Sequence, residues 1–164
     1  FCRFVQRHQS EYVGGIFLRH LTIDEFDEAW KVFHENKDWF PHVRKSHVRT
    51  RLERGQLILQ DNVLITYHKN KNSRKIGRDT DVSVTSGSHI IHQIINITPG
   101  KGNAKKVIND FFDFVGTDVY LTVRAENIAA NKFYEKVGMH KVGYINWSDG
   151  NMLGNVWKRV IDND

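Results

Sequence analysis

Two stretches of the chain carry apolar residues at helical spacing, and several shorter ones carry them almost without a break. Ile23, Phe26, Trp30 and Phe33 fall on one stripe. The helix they predict opens at Thr22-Ile23-Asp24-Glu25, a capping box with Thr at the cap and Glu three residues on. It breaks at Asp38-Trp39-Phe40-Pro41-His42. Ala104, Val107, Ile108, Phe111, Phe112 and Val115 follow i, i+3, i+4, i+7, i+8 and i+11, a face fit to pack on a sheet. Shorter helices are predicted over 45–54, stopped by Gly55, and over 128–137, closed by Gly138. Strand-like runs lie between them. These are Ile16-Phe17-Leu18-Arg19, a hairpin of 57–59 with 63–67, and 119–123. The apolar run 89–97 reads as a central strand buried on both faces. A last hairpin joins 140–147 to 152–160 through Ser148-Asp149-Gly150-Asn151. This order predicts a mixed sheet flanked by helices, an α/β (α+β) fold.

The segment 68–88 breaks the pattern. It is polar, carries Lys69, Lys71, Arg74, Lys75 and Arg78, and shows no sustained periodicity, apart from a short strand at Val82-Ser83-Val84. A connection of that length inside a compact domain is usually functional or mobile. The chain of 164 residues supports a single domain, set here at 14–162 with an N-terminal extension at 1–13. No apolar run reaches the roughly 20 residues that span a bilayer, so no membrane association is expected, and no signal-peptide pattern stands at the start. Cys2 is the lone cysteine, which excludes an intramolecular disulfide and suits a reducing, cytoplasmic setting. The formal charge of +5 and pI near 9.4 favour polyanionic partners.

Two motifs carry chemistry. Thr98-Pro99-Gly100-Lys101-Gly102-Asn103-Ala104 lies between the run 89–97 and the amphipathic helix. A Gly-rich turn that opens a helix offers unpaired N–H groups and the positive dipole end to an anion. The second motif, Asn127-Ile128-Ala129-Ala130-Asn131-Lys132-Phe133-Tyr134-Glu135-Lys136-Val137-Gly138-Met139, spans the later helix. Together they resemble the GNAT superfamily of acetyl-CoA-dependent N-acyltransferases. In that family a Gln/Arg-x-x-Gly-x-Gly/Ala loop cradles the CoA pyrophosphate, and a helix carries Asn-x-x-Ala-x-x-x-Tyr-Glu-Lys-x-Gly-Phe. Gly102 and Ala104 fill the small positions, while Pro99 stands at the Gln/Arg position and Met139 at the Phe.

The resemblance implies a mixed, mostly antiparallel GNAT sheet, with 68–88 as a basic insertion. It implies direct acetyl transfer from acetyl-CoA, without metal, to a primary amine on a small molecule, peptide or protein. A homodimer is compatible with it. Cofactor-side positions are then Ile95, Ile97, Gly100, Lys101, Gly102, Asn103, Ala104, Asn127 and Ala130. Tyr134 sits at the general-acid position. The 89–97 strand offers no carboxylate as base; His92 is the candidate, and His89 must face the other way because strand side chains alternate. Trp39, Phe40, His42, Tyr67 and Trp147 are candidate acceptor walls. Two alternatives stay open. One is a nucleic-acid or nucleotide modifier of the Mom-like class, given the basic residues Arg44, Lys45, Arg49, Arg51 and Arg54 beside aromatics. The other is a CoA- or nucleic-acid-binding protein with degenerate catalysis.

Overall fold

A computed structural model describes residues 15–161. The extension 1–13 and Cys2 lie outside them. Seven strands form one mixed, mostly antiparallel sheet, accompanied by four helices. Contacts divide the chain into two units, the first running to Tyr67 and resuming over Gln93–Phe114.

In the first unit Thr22 starts the chain's first helical segment. Its backbone N–H and hydroxyl both donate to the Glu25 carboxylate, at 3.0 and 3.3 Å, so the capping box forms from its acidic end. A 3₁₀ turn, Ile23–Glu25, leads into α1, Phe26–Glu35. The buried face of α1 is Ala29, Val32 and Phe33, one step round from the predicted stripe. Phe26 and Trp30 sit at its rim, stacked at 6.4 Å, under cations of α2, Lys45–Glu53. The Arg49 guanidinium lies 4.6 Å from the Phe26 ring centre and the Lys45 ammonium 5.7 Å from that of Trp30. The basic face of α2 is therefore partly engaged by aromatic rings. Val48 and Leu52 turn inward to meet Leu21, Ala29, Phe33, Leu57, Leu64 and Ile95 in one apolar core.

Strands β1, Leu57–Gln60, and β2, Val63–Lys69, pair antiparallel around Asp61 and Asn62, both at positive φ. Asx residues accept that conformation more readily than others, which fixes the two-residue turn. The run 16–19 does not form a strand. A bridge joins His20 to Ile58, and the Gln60 side chain takes the Arg19 N–H, so no ladder continues through Arg19.

The second unit holds His68–His92 and the chain from Val115 onward. Here β6, His89–Asn96, pairs parallel with β7, Val119–Arg124. After α4, Ile128–Lys136, strands β8, His140–Trp147, and β9, Met152–Arg159, extend the order as β6-β7-β9-β8.

The insertion is not a structureless loop. It contains β3, Arg74–Lys75, β4, Asp79–Thr80, and β5, Ser83–Val84. β3 pairs with β5, and β4 joins the edge of the main sheet against Asn146 and Ile145 of β8. Asn70, 2% exposed, closes its neck: its side-chain amide donates to Asn72 O at 2.7 Å and Thr85 O at 3.2 Å. Sheet glycines let side chains settle on the strands. A Cβ on Gly143 would overlap Val82, and one on Gly154 would overlap the Trp147 ring. The strand β6 also departs from expectation: Ile90, Ile91 and Ile95 are buried, but His92 is exposed, so only part of the run is covered on both faces.

Gly154→Val should therefore destabilise the fold by about 1–3 kcal/mol through overpacking. Thermal melting should show a drop of about 2–4 °C per kcal/mol, while Leu153→Ala, at a side chain 48% exposed, should leave the midpoint nearly unchanged.

Candidate functional site

β6 ends at Asn96, and the Ile97 N–H reaches back to Asn62 O at 2.8 Å. The chain then turns through Gly100 at φ +88° and Gly102 at φ +75° before α3, Asn103–Val115. A side-chain-bearing residue held left-handed costs roughly 1–2 kcal/mol, so the backbone itself asks for glycine here. Nothing lies within 4 Å of a Cβ built on either glycine, so the space over this backbone is open. The first helical bond runs from Lys106 N–H to Gly102 O, which leaves the N–H groups of the first turn outside the helix ladder. The Asn103 side chain donates to Asp61 O at 3.0 Å and ties this helix start to the β1–β2 turn. Lys101 is exposed and Ala104 buried.

Two polar atoms beside the turn are orphaned: Asn96 Oδ1 and Thr98 Oγ1 are buried with no hydrogen-bond partner. Buried polar atoms without partners are costly and call for a reason, of which a missing ligand is one. Ile95 is a core side chain, so only its backbone is left to face a ligand, whereas Ile97 is 36% exposed.

In the second unit Asn127 caps α4, its Oδ1 accepting from the Ala130 N–H at 3.2 Å. Asn131, which the sequence offered only as a motif letter, is the knot beneath it. Its amide donates to Asn127 O and Arg124 O at 2.8 and 3.0 Å, and its Oδ1 accepts from Asn155 Nδ2 and Trp157 Nε1 at 2.8 and 2.9 Å. Tyr134 is buried against Phe133 and Trp157. Desolvation pushes its pKa well above the ordinary phenol value, so the hydroxyl stays protonated.

The same unit contains a cavity of about 590 Å³. Its walls are His68 and His92, the insertion residues Arg74, Arg78 and Asp79, Thr122 of β7, and the hairpin tip Trp147, Ser148 and Asp149. Ile76, Ile90, Ile91 and Ile145 supply its apolar lining. His68 Nδ1 and His92 Nε2 are 2.6 Å apart with the rings stacked at 4.7 Å. At that separation one nitrogen donates and the other accepts, so the pair shares one proton along the bond.

His89 is elsewhere, bonded through Nδ1 to Thr117 Oγ1 at 2.7 Å. Burial first, then the charges of Lys69 and His68, pull its pKa down to about 4. Of the expected acceptor walls, Trp147 lines the cavity. Tyr67 is instead a core residue, hydrogen-bonded to His20 at 2.7 Å, and Phe40 packs on the first unit's core. His68 was missed because it reads as the first residue of an irregular segment, although it is the next-to-last residue of β2. Among the described residues there is no group of three or more His, Cys, Asp or Glu side chains placed to hold a metal, and no helix long and apolar enough to cross a membrane.

Solved structures supply the comparison. A GNAT-family acetyltransferase from Streptococcus agalactiae superposes with a TM-score of 0.68 at 12% identity, covering 93% of this chain and 99% of that one. A probable acetyltransferase from Staphylococcus epidermidis gives 0.67 at 12% identity, with 88% and 98% covered. Arabidopsis thaliana NAA60, in complex with a bisubstrate analogue, gives 0.62 at 16% identity, with 90% and 99% covered. The chain has the GNAT fold. No protein-family model matches its sequence, and neither does any curated protein. The positions that the sequence resemblance expects on the cofactor side fall into two groups. Ile95, Ile97 and Gly100 to Ala104 are contiguous in the first unit, while Asn127 and Ala130 belong to the α4 cap in the second.

The lowered pKa of His89 has a thermodynamic consequence. The fold favours the neutral ring, so the unfolded chain takes up the proton first. Stability is then lost as pH falls from about 6.5 toward about 4. His89→Gln should flatten that part of the profile, and urea midpoints of both proteins at pH 7 and pH 4.5 measure the difference.

Proposed function

We propose that the protein transfers an acetyl group from acetyl-CoA directly to a primary amine on a small molecule or peptide. The observation that carries this reading is the turn 98–104: open, left-handed glycines and the first N–H groups of α3, beside orphaned oxygens, on a GNAT fold. NAA60, which shares that fold, is also solved with acetyl-CoA.

The residues present fit the cofactor. Gly100, Gly102 and the first turn of α3 would receive the pyrophosphate, with Lys101 adding charge. Thr98 Oγ1 would donate to it in place of the side chain that Pro99 lacks. Bound there, acetyl-CoA supplies an activated acyl carbonyl to which an amine adds. His92, on the cavity wall with His68 behind it, accepts a proton from the incoming amine. Tyr134, held protonated by burial, donates to the departing sulfur. The enclosing walls hold the amine in line, which by itself supplies much of the rate.

Tyr134→Phe keeps the ring packed and removes the donor. Turnover should fall by roughly 10²–10⁴-fold with little change in KM for acetyl-CoA; wild-type turnover would leave Tyr134 a core residue only. Gly102→Glu sets bulk and negative charge where the pyrophosphate would lie. CoA binding should be lost in a calorimetric titration while circular dichroism stays native, and unchanged affinity would remove the turn from the site.

A further inference from the structure

The insertion and the hairpin tip bring four charges to one cavity. Arg74 and Arg78 line it with Asp79 and Asp149, and none of these side chains makes an ion pair or hydrogen bond among the described residues. On a solvated loop such charges would cost little and mean little. Here the side chains are exposed, but the backbone that carries several of them is held by structure. β4 is hydrogen-bonded to β8, and Thr80 Oγ1 donates to Tyr144 O at 2.6 Å. Asp149 stands in a turn of fixed positive-φ residues. A mixed-sign set of charges around an apolar floor is complementary to a ligand that carries both signs and an apolar body.

Resting on the acetyltransferase reading above, we propose that the acceptor is an α-amino acid with an apolar side chain. Its carboxylate is taken by Arg74 and Arg78, its ammonium by Asp79 and Asp149, and its side chain by the Trp147 wall. Guanidinium groups suit a carboxylate because they offer paired N–H donors in one plane. Anchoring the carboxylate fixes where the nitrogen sits relative to His92, which a neutral amine without that anchor would not achieve. The protons balance. The ammonium gives up one to the His68–His92 pair and on to water, the C–N bond forms as the C–S bond breaks, and the second proton ends on the thiol. Products are the N-acetyl amino acid and free CoA.

The test compares phenylalanine, phenylalaninamide and phenethylamine as acceptors, with thiol release and the mass of the product as readouts. Rates are corrected for the fraction of neutral amine. We expect kcat/KM for phenylalanine about tenfold or more above the other two, the size of one good charge-assisted contact. The doubly substituted protein, Arg74→Gln with Arg78→Gln, should lose that preference while its affinity for acetyl-CoA and its melting temperature are retained. Equal rates for the three amines, or a preference that survives the double substitution, would overturn the inference and leave acetyl transfer standing. A higher kcat/KM for O-phosphoethanolamine than for phenylalanine would overturn the carboxylate assignment. Calorimetry without acetyl-CoA decides the matter even if no transfer occurs: phenylalanine should bind tighter than its amide in the wild-type protein and not in the double variant. Failure of acetyl-CoA itself to bind would count against the transferase reading alone.

Discussion

Parallel pairing between β6 and β7 covers His89, Ile90 and Ile91 opposite Val119, Tyr120 and Leu121, and the chemistry of the second unit gathers where it stops. Such pairing spends backbone N–H and C=O groups on the ladder, while side chains stand off the two faces of the sheet. Ile90 and Ile91 inside the paired stretch, and His92 and Thr122 beyond it, all line the cavity of the second unit. β7 meanwhile keeps its other neighbour, β9, through Thr122, Val123 and Arg124, so it remains ordered beyond the point where β6 leaves it.

Burial then sorts the titratable groups. His89, three residues before His92, is desolvated and faces Lys69 and His68, so it stays neutral near pH 7. Tyr134 is desolvated by α4 and Trp157 and stays protonated. The alternation of strand faces separates His89 from His92: His89 bonds Thr117, while His92 lines the cavity.

The helical faces were legible because their information is local. The period of Val107, Ile108, Phe111 and Phe112 is a property of consecutive residues, and all four are buried. The Thr22–Glu25 box and the Asn127 cap are equally local and formed as written. Of the insertion only the strand at Val82-Ser83-Val84 was legible, where β5 forms; β3 and β4 were not, because strands of two residues have no period to detect. Their packing also involves a distant residue, Gly143, where an added Cβ would overlap Val82. Asn131 was hidden for a similar reason. Its four bonds join α4 to Arg124, Asn155 and Trp157, so no window of sequence contains them. Of the candidate site, the turn 98–104 could be placed from glycines and a following helix. The His68–His92 pair needed the partner strand.

Pro99 poses the sharpest question about the turn, since it removes a backbone N–H at the proposed anion site. The local geometry spreads the work. Asn103 pins the start of α3 to Asp61 O, so the free N–H groups of the first turn are held in place before any ligand arrives. Preorganised donors need no reorganisation on binding, which strengthens each of those that remain. Thr98 and Asn96 add two oxygens that the fold leaves unpaired, one of them a hydroxyl able to donate. A proline that fixes its own φ also narrows the conformations of the residue before it, Thr98, and so helps hold that hydroxyl. If the turn holds the pyrophosphate as proposed, it exchanges one flexible side-chain contact for a stiffer set of backbone and hydroxyl donors. On the proposed reading, that exchange makes anion binding here depend on the shape of the turn more than on the charge of its side chains.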